Sequence, residues 1–213
     1  MLKTYRKTLI ITSIVIVLPI LAGLLYWNRL PDMMATHFGA DNEANGYSSK
    51  LFAVFGLPLF CLAMHWIAAV VTLHDPRKQN ISPKLFTLVL WIVPVVSLIC
   101  GGIMYPYNLG YKLDISFIMQ LMIALMFIII GNYLPKARQN YTIGIKFPWT
   151  LENEENWNLT HRLAGFLWVI GGALLLILTL LKGGSLTGLL AITIVISVLP
   201  CIYSFWLHVR RNL

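Results

Sequence analysis

Charge is scarce in this chain. Asp, Glu, Lys and Arg make up 11% of its 213 residues, against roughly 25% in a soluble domain. Eight acidic and sixteen basic side chains cannot cover the polar surface that a dissolved protein of this length presents. A soluble enzyme is excluded on that ground. A disordered chain is excluded by the opposite excess, 58% apolar residues and a mean hydropathy of +0.76. Cysteine is rare too. Cys61, Cys100 and Cys201 all fall in apolar runs and share no metal-ligand spacing, which excludes a disulfide scaffold and reads as small buried hydrophobes. No HExxH, phosphate-cradling glycine run or nucleophile–base motif stands in the polar stretch 131–162, and no metal or cofactor is implied. Finally, no Asp, Glu, Lys or Arg lies in the central part of an apolar run. Charges at that depth mark ion paths and proton relays, so an ion-coupled transporter is disfavoured.

What is present is apolar length. Six runs, 8–27, 51–73, 85–105, 115–133, 163–181 and 189–207, each reach the roughly 20 residues that a helix needs to cross a bilayer. Barrel strands would alternate instead. The first run is too long for a signal-peptide core and lacks a small-x-small cleavage pattern, so it is read as an uncleaved anchor. The predicted fold is an all-α membrane protein, one integral domain over 1–213 with six transmembrane helices. Two connections exceed turns, 28–50 and 134–162; the others are short, so neighbouring helices pack antiparallel.

Basic residues orient the chain. One side holds twelve of the sixteen: Lys3, Arg6, Lys7, Arg77, Lys78, Lys84, Lys136, Arg138, Lys146, Arg162, Arg210 and Arg211. The other holds Arg29, Lys50, Lys112 and Lys182. Both termini are therefore expected in the cytoplasm, with 28–50 a structured extracytoplasmic loop and 134–162 a structured cytoplasmic one. The net charge of +8 reads as topology and attraction to membrane lipid headgroups, with no direct nucleic-acid binding. Within the spans, His65 is the one imidazole at depth and is expected to hydrogen-bond a neighbouring helix. Gly101-Gly102 and Gly171-Gly172-Ala173 let backbones approach closely.

The outer loop has Asp32 after a proline and a tight-turn signal at Asn45-Gly46. Asp32, His37, Asp41 and Glu43 leave two readings open, a cation site and a hydrogen-bonded cap over the bundle. In the inner loop Pro135 ends the fourth helix and Pro148-Trp149 reads as an extended stop. Thr150 then occupies an N-cap position, so a helix is predicted from Leu151, with Glu152, Glu154 and Glu155 near its positive end. It leads to the fifth span through His161-Arg162, where His161 pairs with Glu154 or Glu155 on the helix surface. Six carboxamides and two tryptophans in this stretch suit recognition better than chemistry. A faint echo links Arg77-Lys78-Gln79-Asn80 to Ala137-Arg138-Gln139-Asn140.

At these two loops the chain resembles the SdpI family of bacterial multi-pass membrane proteins. The likeness runs through Leu30-Pro-Asp32, Thr36-His-Phe38 and Gly46-Tyr-Ser-Ser-Lys50. It continues through Gly131-Asn-Tyr-Leu-Pro-Lys136, from Arg138 to Leu151, and from Asn153 to Arg162. One departure is Ala35, where the family often has proline. The resemblance implies a non-enzymatic immunity protein of the bacterial cell membrane, protecting its cell from a secreted toxin peptide. It also implies signalling, by holding a small cytoplasmic DNA-binding repressor at the membrane. On that reading Asp32, His37, Phe38 and Lys50 meet the toxin, while Asn132, Arg138, Asn140, Trp149, Trp157, His161 and Arg162 serve the repressor. Two alternatives stand beside it. One is a membrane enzyme acting on a lipid or peptide, using His37 with Asp32 or Asp41, or His161 with a glutamate. The other is a small-solute transporter.

Overall fold

The computed structural model describes residues 2–181 and 185–211; Lys182, one of the basic residues counted above, lies outside them. Six helices are long and apolar enough to cross a membrane. They are α1 (Leu2–Leu25), α2 (Leu57–Leu73, preceded by a π-helical turn at Phe52–Gly56), α3 (Pro83–Asn108), α4 (Ile115–Tyr133), α6 (Glu154–Leu180) and α7 (Leu186–Arg211). A five-residue helix α5 (Pro148–Glu152) precedes α6. The six predicted spans are borne out. The all-α expectation is corrected in one element, because 28–50 contains a two-stranded antiparallel hairpin, β1 (Met33–Phe38) with β2 (Ala44–Ser49).

Hydroxyl and carboxamide side chains start the helices. Ser82, Asn153 and Ser185 accept from the first-turn N–H groups of Leu85, Asn156 and Gly188, satisfying donors that an α-helix leaves open. The helix exteriors are apolar, with Leu25 at 83% and Phe60 at 62% exposure. Such a surface suits lipid and not water. The cysteines belong to this pattern: Cys100 is exposed, and Cys61 and Cys201 are half-buried. The expectation of buried hydrophobes is corrected there, since a lipid-facing residue need not be buried to be apolar.

The chain forms two compact units. One comprises Met1–His74 with Phe86–Ser116, the other Asp75–Leu85 with Phe117–Leu213. In the first, a core of Leu30, Met34, Ala53, Val54, Met104 and Tyr105 lies where the chain leaves α1 and enters α2. Deeper along the helices, His65 lies 3.0 Å from the Thr12 hydroxyl, and Ser97 donates to the Ile16 carbonyl at 2.9 Å. His65 thus bonds a neighbouring helix as expected. In the second unit, α4, α6 and α7 approach at small residues. A Cβ on Gly172 would come 2.8 Å from the Ala124 carbonyl, and one on Gly171 2.6 Å from Ile196. The predicted close contact at Gly171-Gly172 is therefore formed.

Candidate functional site

Each unit carries one built loop. In the first unit the hairpin reverses at 39–43, where Gly39 N–H donates to Glu43 O at 2.8 Å and Asn42 takes a left-handed φ of 66°. The turn expected at Asn45-Gly46 is corrected: both residues lie in β2. Gly46 is needed there for close approach, since a Cβ on it would sit 2.8 Å from His37 Cβ at an irregular register between the strands.

Three anchors hold the hairpin down. At its base Lys50 pairs with Asp32 at 3.1 Å, while its ammonium lies over the Trp27 ring and its N–H donates to Asp32 O. At mid-length the Asn108 carboxamide serves β1 as a third strand would. It accepts from Ala35 N–H at 2.8 Å and donates to Ala35 O at 3.0 Å. A proline at 35 would have no N–H to give, so Ala35 and Asn108 go together. At the tip Asn42 accepts from Ser116 N–H at 2.7 Å, and the Ser116 hydroxyl donates to Ala40 O. Phe38 packs edge-on against Tyr107.

Of the two readings for this loop, the geometry is that of a hydrogen-bonded cap. His37 contacts Asn45 at 2.5 Å, Asp41 accepts from Glu43 N–H and Asp32 is held by Lys50. Among the described residues no three His, Cys, Asp or Glu side chains gather to hold a metal. Asp32 and His37 are exposed, Phe38 is half-buried and Lys50 is 14% exposed.

In the second unit the short connection 75–85 and the long one 134–153 fold onto each other around Asp75. Its carboxylate is 2% exposed and accepts from Arg77 N–H at 2.7 Å, Tyr141 N–H at 2.9 Å and the Thr142 hydroxyl at 2.8 Å. Arg77 donates to Gln139 Oε1 and to Leu151 O and lies over the Tyr141 ring. Asn80 donates to Gln139 O at 2.7 Å. The two echoing tetrapeptides are therefore bonding partners. Asp75 stands in no sequence motif, and Arg77 stands out only as one of the orienting basic residues and in the tetrapeptide echo. The one local signal was an acid beside a proline within an otherwise basic loop.

Asn140 is fully buried. It accepts from Thr142 and Ile143 N–H and donates to the Arg138 and Ile143 carbonyls, so its carboxamide holds the turn from within. The chain then lies across Trp157 and His161 of α6. Trp157, 0% exposed, donates to Ala137 O at 2.7 Å and stacks on His161 at 4.1 Å. Ile145 N–H donates to His161 Nε2 at 2.9 Å, so the ring proton sits on Nδ1, 2.7 Å from Trp157 O. Gly144, with φ +132°, makes this crossing possible, because a Cβ there would lie 2.5 Å from His161 Nε2.

Two expectations for this loop are corrected. The helix begins at Pro148 instead of Leu151, since proline's fixed φ suits a first helical position. Thr150 lies inside α5, accepting from Phe147 N–H at 2.8 Å, and Asn153 caps α6. His161 is buried, and among the described residues neither it nor His37 forms an ion pair with a carboxylate. Trp149 stacks between Phe147 and His208 and donates to the Ser204 hydroxyl at 2.9 Å. Asn132, Arg138 and Arg162 are exposed. The site residues of this loop thus divide into a buried group, Asn140, Trp157 and His161, a half-buried Trp149, and an exposed polar group.

Residues 136–204 match the SdpI/YfhL protein family, and residues 14–62 match a domain of unknown function, DUF1648. The first stretch covers the folded loop, α6 and most of α7, within the second unit; the second covers the second half of α1, the hairpin and the start of α2, within the first. The chain is also similar to the Immunity protein SdpI of Bacillus subtilis (strain 168), with 24% identity over 211 residues, 97% of this chain and 98% of that protein. No solved structure matches. The resemblance to the SdpI family is borne out.

Proposed function

We propose that this multi-pass membrane protein protects the bacterial cell that makes it from a secreted toxin peptide, and that it also holds a cognate transcriptional repressor at the membrane. The observation that carries the proposal is the end-to-end similarity to an immunity protein. The twelve-to-four distribution of basic residues supports cytoplasmic termini, which sets the hairpin outside and the 134–162 loop inside. Reporter fusions after Gly46 and Gly110 then read as outside, and those after Lys78, Gln139 and Leu213 as inside. An outside reading at Gln139 would reverse the two assignments.

The hairpin is anchored at base, middle and tip, so it meets a partner already ordered and little entropy is lost on contact. Asp32 and His37 are the side chains free to touch a peptide, with Lys50 and Phe38 holding their frame. On the inner loop Arg138, Arg162 and Asn132 form the accessible surface for a repressor. Trp149, Trp157, Asn140 and His161 shape it from beneath. A killing assay on one set of strains tests both halves. Asp32→Ala, His37→Ala and Lys50→Ala lower survival at unchanged membrane abundance. Arg138→Ala and Arg162→Ala instead reduce repressor co-fractionation with membranes and leave survival near normal. Full protection by all three hairpin variants would remove the hairpin from the mechanism.

A further inference from the structure

In the first unit, residues of α1 and α3 line a cavity of about 640 Å³, a volume in the range of small-ligand sites. Its walls are apolar along the helices, with Leu18 and Leu98 at mid-helix. Gly102 leaves its side-chain position open, with nothing within 4 Å of where a Cβ would stand. Where the chain emerges from the helix ends, the lining turns cationic with Arg29 and Lys112. Both are exposed, and among the described residues neither forms an ion pair; the Arg29 guanidinium lies over the Tyr26 ring. Tyr105 also lines the cavity, with its buried hydroxyl beside Gly23. Residues 18 to 25 of α1 rise about 10 Å at 1.5 Å per residue, which fits within the roughly 15 Å of hydrocarbon in one leaflet.

We infer that this cavity binds one anionic glycerophospholipid from the leaflet on the hairpin side, its phosphate between Arg29 and Lys112 and an acyl chain along α1 and α3. The charge pattern selects the occupant. A purely apolar ligand would leave two cations unmatched, and a free anion would leave the apolar walls unfilled. This site is independent of the toxin and repressor surfaces proposed above.

The test is native mass spectrometry of the full-length protein from micelles holding equal amounts of phosphatidylglycerol and phosphatidylcholine. The expected result is one retained phosphatidylglycerol, favoured about thirtyfold, or about fivefold for each cation. Arg29→Gln with Lys112→Gln abolishes the preference, and these exposed positions leave the fold intact. Gly102→Leu fills the space and abolishes retention of either lipid, while Arg210→Gln with Arg211→Gln changes nothing. Equal retention of both lipids by the unaltered protein overturns the inference. So does a preference that survives the Arg29/Lys112 variant, or one lost in the Arg210/Arg211 variant. Binding of an apolar peptide with a free carboxyl terminus, where neither lipid is retained, overturns it as well.

Discussion

Asp75→Asn is expected to release the 134–153 loop from the rest of its unit. The carboxylate receives three donors on two oxygens, one from Arg77 N–H and two from Tyr141 N–H and the Thr142 hydroxyl. An asparagine offers one oxygen, and its NH₂ must then face a donor on the other side. Hydrogen bonds to a charged acceptor contribute about 1.5–3 kcal/mol each, and a buried donor left without an acceptor costs about 1–3 kcal/mol more. The expected loss is therefore on the order of 3–5 kcal/mol. That is a large share of the roughly 5–15 kcal/mol that holds a folded domain together. The effect is local first. Limited proteolysis of membrane vesicles should cut the variant between 138 and 147 at protease levels that leave the unaltered chain whole, and its melting temperature in detergent should fall. Equal resistance of the two proteins would show that Asp75 is not the centre of this fold.

Trp157→Ala is the second large effect. The indole is fully buried, and truncating such a side chain costs about 3–5 kcal/mol. Ala137 O also loses its donor, and the loop crossing at Gly144 loses the surface it rests on. Trp157→Phe keeps much of the ring volume and removes only the N–H, so its loss should be nearer 1 kcal/mol. A graded series of detergent melting temperatures, unaltered above Trp157→Phe above Trp157→Ala, is the expected outcome. Equal melting of all three would place Trp157 outside the core of the loop. If the proposed repressor role holds, membrane co-fractionation of the repressor also falls in Trp157→Ala, through loss of the surface and not of a contact.

The six spans were legible because bilayer thickness sets the length of an apolar run and the sequence states it directly. Their polar ends were legible only through capping signals. Residues 154–162 of α6 carry glutamates, carboxamides and an arginine, so apolar length does not reveal them. The cap signal at Thr150 predicted the helix there but set its start at Leu151, where the structure has α5 from Pro148 and α6 from Glu154. Asn45-Gly46 signalled a turn by residue type, yet the turn lies at 39–43. Gly46 answers a different need, room for His37 across the strands. Trp157, Asn140 and His161 stood out by type, but a tryptophan that recognises a partner and one that supports a loop look alike until burial is known. Asp75 and Asn108 were invisible for a related reason. Each acts on backbone groups more than 60 residues away, and no local pattern encodes such partners.

The central claim is immunity, and survival measures it directly. The unaltered chain is expressed in a strain sensitive to the toxin that its own producing bacterium secretes, and colony survival is compared with an empty-vector strain across toxin doses. The account predicts survival at doses that kill the vector strain, with no change in toxin concentration in the medium. Death at the same dose as the vector strain, with the protein inserted at normal abundance, would contradict it.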